Sequence, residues 1–291
     1  MDMYDTNITL TAYQLTIIND IHNIVKNNPD DFKEIVQFAF CNERVLMKTN
    51  NDWETVLMVA CQYQPNAVKY ILESKYCSKE LLMQQTEHGI NALMIACLYQ
   101  PEAVKYICAS QYCSEELILQ QHNKGHNALM IACIYQPNAV KYILDSEYCS
   151  EKILMHQNND GFNALMFACI KQPEAVQYIL DSEYCSEKIL MQQNKNGTNA
   201  LMAVCQFQPE AVKYILDSKY YSEKMLMQQD KYGENTLMVA CYYQPKAVQY
   251  ILDSKYVRQL KKKYEQQSCV KKLYYWTCHN KYHKAIMSII S

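Results

Sequence analysis

The feature that most constrains this chain is a strict 36-residue period in its prolines and glycines. The seven prolines, from Pro29 and Pro65 to Pro245, each lie 36 residues after the one before, and the five glycines, from Gly89 to Gly233, keep the same interval at another phase. Glycine and proline are the strongest breakers of regular local structure, so the two phases mark the same turns in every repeat. A period of this length predicts an array of one stacked supersecondary unit.

The repeat GTNALMAVCQFQPEAVKYILDS, which begins at Gly197, shows how each unit is expected to fold. Gly197 permits a turn with positive φ, and Asn199 suits a helix N-cap. Leu201 and Cys205 then fall on one face of a helix. A second helix begins at Pro209, since the residue before a proline disfavours helical geometry and proline suits the first helical position. The sequence therefore predicts two antiparallel helices joined by a tight turn.

The remainder of each repeat, such as EYCSEKILMHQNND, allows two interpretations. Ser150 or Ser186 could cap a short third helix or 3₁₀ turn, with Glu151 or Glu187 placed favourably near its start. An extended connector is the alternative. We favour the short helix.

The period also predicts three parts of the chain. Residues 1–52 form a degenerate N-terminal capping repeat, residues 53–256 a six-unit array, and residues 257–291 a basic C-terminal capping repeat. Atypical end repeats are expected because they cover the apolar faces that a solenoid would otherwise expose. The glycine phase carries Trp53 at the front and Cys269 at the back, which agrees with atypical ends.

The string Gly-x-Asn-Ala-Leu-Met-x-Ala-Cys resembles the Gly-x-Thr-Pro-Leu-His-x-Ala-Ala signature of ankyrin repeats, from Trp53 to about Ser254. The chain has Asn for the capping Thr, Ala for Pro and Met for His. A longer segment replaces the family's hairpin, which accounts for a period above the usual value of about 33 residues and disfavours a projecting β-hairpin. The chain is also similar to divergent ankyrin proteins of giant amoeba-infecting viruses. The resemblance implies an all-α, ankyrin-like solenoid of stacked helix–turn–helix repeats.

Most of the fourteen cysteines share two phases of the repeat. Residues of one phase in stacked helices lie roughly 10 Å apart, which is too far for a disulfide. A thiol also behaves as a small apolar side chain. The cysteines are therefore predicted to be reduced and structural, in an intracellular, reducing compartment that is the host cytoplasm or nucleus if the protein is viral. The two sets are Cys61, Cys97, Cys133, Cys169, Cys205 and Cys241, and Cys41, Cys77, Cys113, Cys149 and Cys185.

Several functional classes are disfavoured by composition and motifs. The formal net charge of -2 does not make the whole chain a partner for nucleic acid. No apolar stretch approaches the roughly 20 residues of a membrane span, and the N-terminus lacks the pattern of a secretory signal. No phosphate-binding loop, paired acids or nucleophile–base spacing recurs, so we expect neither an enzyme, a cofactor nor a small-molecule substrate.

The C-terminal part holds two further candidates. Cys269, Cys278, His279 and His283 could ligate zinc, but no CxxC is present and Cys278 and His279 are adjacent, so surface histidines are favoured. The segment KYVRQLKKKYEQQSCVKK is basic. A solvated face is favoured there over a nuclear-import or nucleic-acid patch.

Differences between repeats concentrate beside each glycine and at the end of each first helix. In the ankyrin family these positions line the concave groove and its rim. Drift is the alternative explanation, but rigid, amphipathic aromatic residues are typical of binding surfaces. We therefore predict a non-enzymatic interaction module that binds an unidentified protein, with a host factor as candidate. The alternative is a nucleic-acid-binding or nuclear-targeted adaptor using the basic cap. The predicted partner-binding residues are Tyr63, Tyr99, Tyr135, Phe162, Lys171, Phe207, Tyr232 and Tyr243.

Overall fold

A computed structural model describes residues 12–37 and 42–254, and this part of the chain is almost entirely helical. No β-strand forms within those ranges, where two isolated antiparallel bridges join Thr49 to Thr55 and Gln229 to Asn235. The predicted all-α repeat fold is confirmed. We number the repeats 1 to 6 by the residue at the glycine phase, which is residue 53, 89, 125, 161, 197 and 233.

Each repeat begins with two helices separated by one residue. The first helices are Val56–Tyr63, Ala92–Tyr99, Ala128–Tyr135, Ala164–Lys171, Ala200–Phe207 and Thr236–Tyr243. The second helices are Pro65–Glu73, Pro101–Cys108, Pro137–Leu144, Pro173–Asp181, Val212–Leu216 after a 3₁₀ turn at Pro209–Ala211, and Pro245–Asp253. The helices that precede repeat 1 are Ala12–Asn27, Pro29–Ile35 and Glu43–Leu46.

Repeats 1 to 5 also contain a short third helix, as we favoured. Ser78 and Ser114 cap two of these helices by accepting from Leu81 N and Leu117 N, each at 3.2 Å. Ser150 and Ser186 occupy the predicted N-cap positions of their short helices, but neither side chain makes a cap hydrogen bond. Ser186 Oγ instead donates to Glu151 Oε1 of the preceding repeat. The third helices are Lys79–Met83, Glu115–Leu119, Glu151–Met155, Glu187–Met191 and Glu223–Met227.

The buried N-cap asparagines connect the elements of a repeat. Asn163, which has no exposed surface, accepts from Met166 N at 2.8 Å. Its amide donates to Ile189 O at 3.1 Å and to Gln192 Oε1 at 2.7 Å, and both acceptors belong to the third-helix region. Gln192 Nε2 in turn donates to Met155 O of the preceding repeat at 2.7 Å. One side chain therefore caps the first helix and begins a relay into the neighbouring repeat.

The chain divides into two compact units, Met1–Asn123 and Lys124–Ser291. In the first unit, Ala12–Asn27 packs on Val56–Tyr63, which packs on Ala92–Tyr99. In the second unit, the first helices of repeats 3 to 6 pack successively on one another, and the second helices do likewise. The boundaries predicted at residues 52 and 256 stay predictions, and residues 257–291 lie outside the described ranges.

The cysteine columns belong to this helical core. Cys61, Cys133 and Cys205 have no exposed surface, and burial raises their thiol pKa values. In the second column, burial raises the pKa of Cys77 and of Cys185 to about 12. A protonated, buried thiol is neither a nucleophile nor a metal ligand, so these cysteines act in packing. Cys41 lies outside the described residues.

Candidate functional site

In repeats 1, 2, 4, 5 and 6, the turn before the first helix is held by a side chain three residues ahead of the glycine phase. Asn194 N donates to Thr198 O at 3.0 Å, and Gly197 N donates to Asn194 O at 2.8 Å. Asn194 Oδ1 accepts from Asn196 N and Thr198 N at 2.9 and 3.0 Å. Sequence analysis missed these turn-forming residues. Their signal was the recurrence of Asn or Asp, which favour such side-chain-to-backbone turns, at one position of the repeat.

Within the second unit, successive turns stack through direct backbone contact. Lys195 N donates to Asp160 O at 3.0 Å and Lys231 N donates to Asn196 O at 2.8 Å. Gly197 has a φ of 78°, and a Cβ placed on it would lie 2.7 Å from Asp230 Cα. Glycine is therefore required there both for its conformation and for the close approach. This stacking places the variable residues on either side of each glycine in a row.

Two of the predicted columns meet in one cavity of about 180 Å³ between repeats 5 and 6. Tyr232, which precedes the glycine, and Tyr243, which ends the first helix, both line it. We call this cavity the turn groove. Its other lining residues are Asn196, Thr198, Met202, Gln206, Asp230, Lys231, Glu234 and Val239.

The last residues of the first helices form the second part of this surface. Tyr135, Phe207 and Tyr243 are 54%, 46% and 45% exposed, and the exposed Lys171 occupies the same position in repeat 4. Because the four helices pack side by side, these residues follow one another in the order of the repeats. The aromatic column of the second unit is therefore interrupted once, by a lysine.

Phe162 differs from the other predicted residues because it is only partly exposed. Its ring stacks on that of Phe167, with 5.3 Å between the centroids. The ring of His126, from the preceding repeat, lies 4.9 Å from Phe167 on a tilted plane. Phe167 was missed by sequence analysis, although its column otherwise holds smaller aliphatic residues such as Ile131 and Ala203. The three rings form an aromatic cluster at the turns of repeats 3 and 4.

In the first unit, Tyr63 and Tyr99 end their helices as predicted and are 39% and 50% exposed. The two rings are not equivalent. The ammonium of Lys26 lies 4.3 Å from the centroid of the Tyr63 ring. This cation–π contact occupies one face of Tyr63.

Two features are absent from the described residues. No cluster of three or more His, Cys, Asp or Glu side chains able to hold a metal occurs among them. Within the same ranges, no helix combines the length and apolar character needed to cross a bilayer. The candidate zinc ligands Cys269, Cys278, His279 and His283, and the basic segment, lie outside the described residues and stay predictions.

Stacked helical repeats with a variable, partly aromatic surface define a repeat-solenoid scaffold, a class that presents extended binding surfaces. The sequence matches the family described as "Ankyrin repeats (3 copies)" at residues 21–117, 108–189 and 185–263. The chain belongs to the ankyrin-repeat family. No curated protein sequence matches it.

Solved structures share the fold at low sequence identity. The ankyrin repeat domain of Bcl-3, a member of the IκB family, is 17% identical with a TM-score of 0.55, over 84% of this chain and 98% of that chain. A chain from the complex of the Bd0816 predatory endopeptidase of Bdellovibrio bacteriovorus with immunity protein Bd3460 is 18% identical. Its TM-score is 0.52, over 72% of this chain and 100% of that chain. At these identities the likeness shows the fold alone.

Proposed function

We propose that this protein is a non-enzymatic scaffold that binds a partner protein on one surface of its second unit. That surface comprises the turn groove and the exposed ends of the first helices of repeats 3 to 6. The observation that supports it is that Tyr232 and Tyr243, from two separately variable columns, line the same cavity. Tyrosines of this kind are frequent anchors of protein interfaces, because they bury a large area at low cost in conformational entropy.

Charged side chains of both signs surround the tyrosines of the turn groove. Lys231 Nζ donates to Asn196 Oδ1 at 2.7 Å and lies 5.0 Å from the centroid of the Tyr232 ring, so the tyrosine is held beside a cation. Asp230 and Glu234, which precede and follow the glycine turn, supply negative charge to the same groove. A partner that inserts an apolar or aromatic side chain between such groups would exclude water from them, as the centres of protein interfaces do.

The partner's source and the compartment are further parts of the proposal. The similarity to virus-encoded ankyrin proteins makes a host factor our candidate, and the packing role of the cysteines favours a reducing, intracellular compartment. If the cysteines are reduced, alkylation of protein isolated from its source, then denatured without a reductant, should modify all fourteen cysteines. Intact disulfides in that material would contradict the compartment. The nucleic-acid alternative rests on residues 257–291 and stays a prediction.

The test begins with capture of a partner on the immobilised full-length chain, followed by affinity measurements on variants. Tyr232→Ala and Tyr243→Ala should each weaken binding by roughly 1–2 kcal/mol, or about five- to thirtyfold, since each removes an aromatic anchor. Circular dichroism should show unchanged helical content.

Tyr214→Ala is the matched control. Tyr214 is 42% exposed but lies on the second helix of repeat 5, away from the turn groove. Its loss should change the affinity less than about twofold, as expected for a residue outside the interface. Equal losses from all three variants, or no loss from the two groove variants, would show that the partner binds elsewhere.

A further inference from the structure

A second groove lies between repeats 3 and 4, on elements that do not contribute to the turn groove. It is formed by the ends of the second helices and the segments that follow them, and its volume is about 800 Å³. The lining includes four carboxylates, Asp145, Glu147, Asp181 and Glu183, but only one cationic side chain, Lys141. We call it the acidic groove.

The carboxylates of this groove have no cationic partner in the described part of the chain. The ion pairs found there involve Glu73, Glu102, Glu116 and Glu210 instead. Asp181 accepts from Gln177 Nε2, with 2.8 Å to each carboxylate oxygen, and the position of Gln177 is a lysine in repeats 1, 2, 3 and 5. Repeat 4 has therefore lost a positive charge beside the groove.

The repeats themselves supply an independent observation on what the groove could bind. In repeats 1 and 5, a lysine precedes the tyrosine of this segment and covers it: Lys75 Nζ and Lys219 Nζ each lie 4.9 Å from the ring centroids of Tyr76 and Tyr220. In repeats 3 and 4 the same position is a glutamate, Glu147 or Glu183, before Tyr148 or Tyr184. The position that holds a cation over a tyrosine in repeats 1 and 5, and is Gln111 in repeat 2, thus carries a negative charge in the two repeats that form the groove.

The tyrosines give the groove an aromatic wall. Tyr178 and Tyr184 line it together with Leu144. Partial burial and then the carboxylate of Glu183 raise the pKa of the Tyr184 phenol above its usual value, so the ring stays neutral. Aromatic faces beside carboxylates attract ammonium and guanidinium groups through cation–π and ionic interactions together. Phosphate-bearing ligands would be repelled by the same carboxylates.

We propose that the acidic groove is a second docking surface, which binds a lysine- or arginine-rich segment of a protein. Cationic side chains of that segment take the place that Lys75 and Lys219 occupy in repeats 1 and 5, beside Tyr184 and among the four carboxylates. Because the groups are exposed, binding is weak, fast and sensitive to salt. The acidic groove shares no residue with the turn groove, so an experiment can contradict one proposal and leave the other standing.

The test measures binding of a dye-labelled decapeptide, GKSKARSKAG, to the full-length chain by fluorescence anisotropy at low and at physiological salt. We expect binding at low salt that weakens as salt increases, and no binding of the acidic peptide GESEAESEAG. Glu183→Lys should weaken binding about tenfold at low salt, since it introduces a like charge at the contact. The double variant Glu147→Lys with Glu183→Lys should weaken it further. Both substitutions restore the residue that repeats 1 and 5 hold at this position, so the fold should tolerate them.

Glu174→Lys is the control, because it makes the same charge change at the start of the second helix of repeat 4, outside the groove, whereas Glu183 follows the end of that helix. Lysine occupies that position in repeat 6, as Lys246. It should change the affinity less than about threefold, through the long-range field only. Equal effects of Glu174→Lys and Glu183→Lys, or the absence of basic-peptide binding by the unmodified chain, would overturn the proposal. A larger loss of peptide affinity from Tyr243→Ala than from Glu183→Lys would also overturn it, because it would place the peptide in the turn groove.

Discussion

The two ends of the first helices differ in how much they vary between repeats. At the start, repeats 2 to 6 all have asparagine, and those of repeats 2 to 5 have no exposed surface. At the end, the same helices finish in Tyr99, Tyr135, Lys171, Phe207 and Tyr243, all of which are exposed. The two ends are separated by about 12 Å of helix. Residues therefore vary between repeats according to their burial, and not according to which repeat they belong to.

The physical cause is the number of hydrogen bonds that depend on each side chain. The starting asparagine Asn163 satisfies a backbone N–H of its own helix and two acceptors from the third-helix region; the bonds to Met166 N and Ile189 O are buried and that to Gln192 Oε1 is partly buried. A substitution there leaves several buried polar groups without partners. Removing an exposed aromatic ring at the end of the helix leaves no buried polar group without a partner. The residues at the ends of the first helices can therefore differ to suit a partner without affecting how the repeats stack.

Among substitutions at the two helix ends and the turns, the largest effect on stability is expected from removing a starting asparagine. Asn163→Ala should lower the free energy of unfolding by about 2–4 kcal/mol, because it removes an N-cap and leaves Ile189 O and Gln192 Oε1 without their donor. Denaturant unfolding followed by circular dichroism measures this loss.

Two variants separate the contributions within that loss. Asn163→Thr introduces the residue of repeat 1, where Thr55 accepts from Met58 N at 3.4 Å, so it should keep the cap and cost about 1 kcal/mol less than alanine. Ser186→Ala removes an N-cap residue whose side chain makes no cap hydrogen bond and should cost less than about 0.5 kcal/mol. If Asn163→Ala were as mild as Ser186→Ala, the buried relay would not stabilise the array.

An intermediate effect is expected in the turns that precede the helices. Gly197→Ala should cost about 2 kcal/mol or more, because alanine is strained at a φ of 78° and its Cβ would meet the backbone of Asp230. Trp53 already adopts a φ of 62° at the same phase of repeat 1. Trp53→Gly should therefore change stability by less than about 1 kcal/mol, since relief of strain offsets the entropy of a glycine in the unfolded chain. Thermal unfolding of both variants checks this contrast, and equal losses would contradict it.

Much of the fold could be predicted because its signals are local and repeated. The positive φ of Gly197, the cap at Asn199 and the helix start at Pro209 each follow from the preferences of one residue type. The same local rule placed Ser150 and Ser186 at N-cap positions correctly, but the cap hydrogen bonds that it implies are absent. The sequence pattern could not show that Ser186 would bond to Glu151 in the neighbouring repeat, since that contact depends on how repeats stack.

The candidate site was less predictable, because it depends on contacts between distant residues. The aromatic columns were visible as differences between repeats, but their meeting in the turn groove follows from the stacking of the turns of repeats 5 and 6. The contact of Lys26 with Tyr63 joins the N-terminal helix to repeat 1 and has no counterpart in the repeated pattern. The reversal from Lys75 and Lys219 to Glu147 and Glu183 was visible in the sequence. The sequence did not show that the two glutamates line one groove, which is formed by the packing of repeats 3 and 4.

The smallest effect on stability is expected at the exposed ends of the first helices. Phe207→Ala should lower the free energy of unfolding by less than about 0.5 kcal/mol, because a ring that is 46% exposed at the last residue of a helix leaves no cavity when it is removed. Leu201→Ala in the same helix is the comparison. Leu201 has no exposed surface, and its truncation should cost about 2–5 kcal/mol. Denaturant unfolding of the two variants compares the buried and exposed faces of one helix directly. A loss at Phe207 approaching that at Leu201 would mean that the ring stabilises the repeat stack, and its column could then not be attributed to binding.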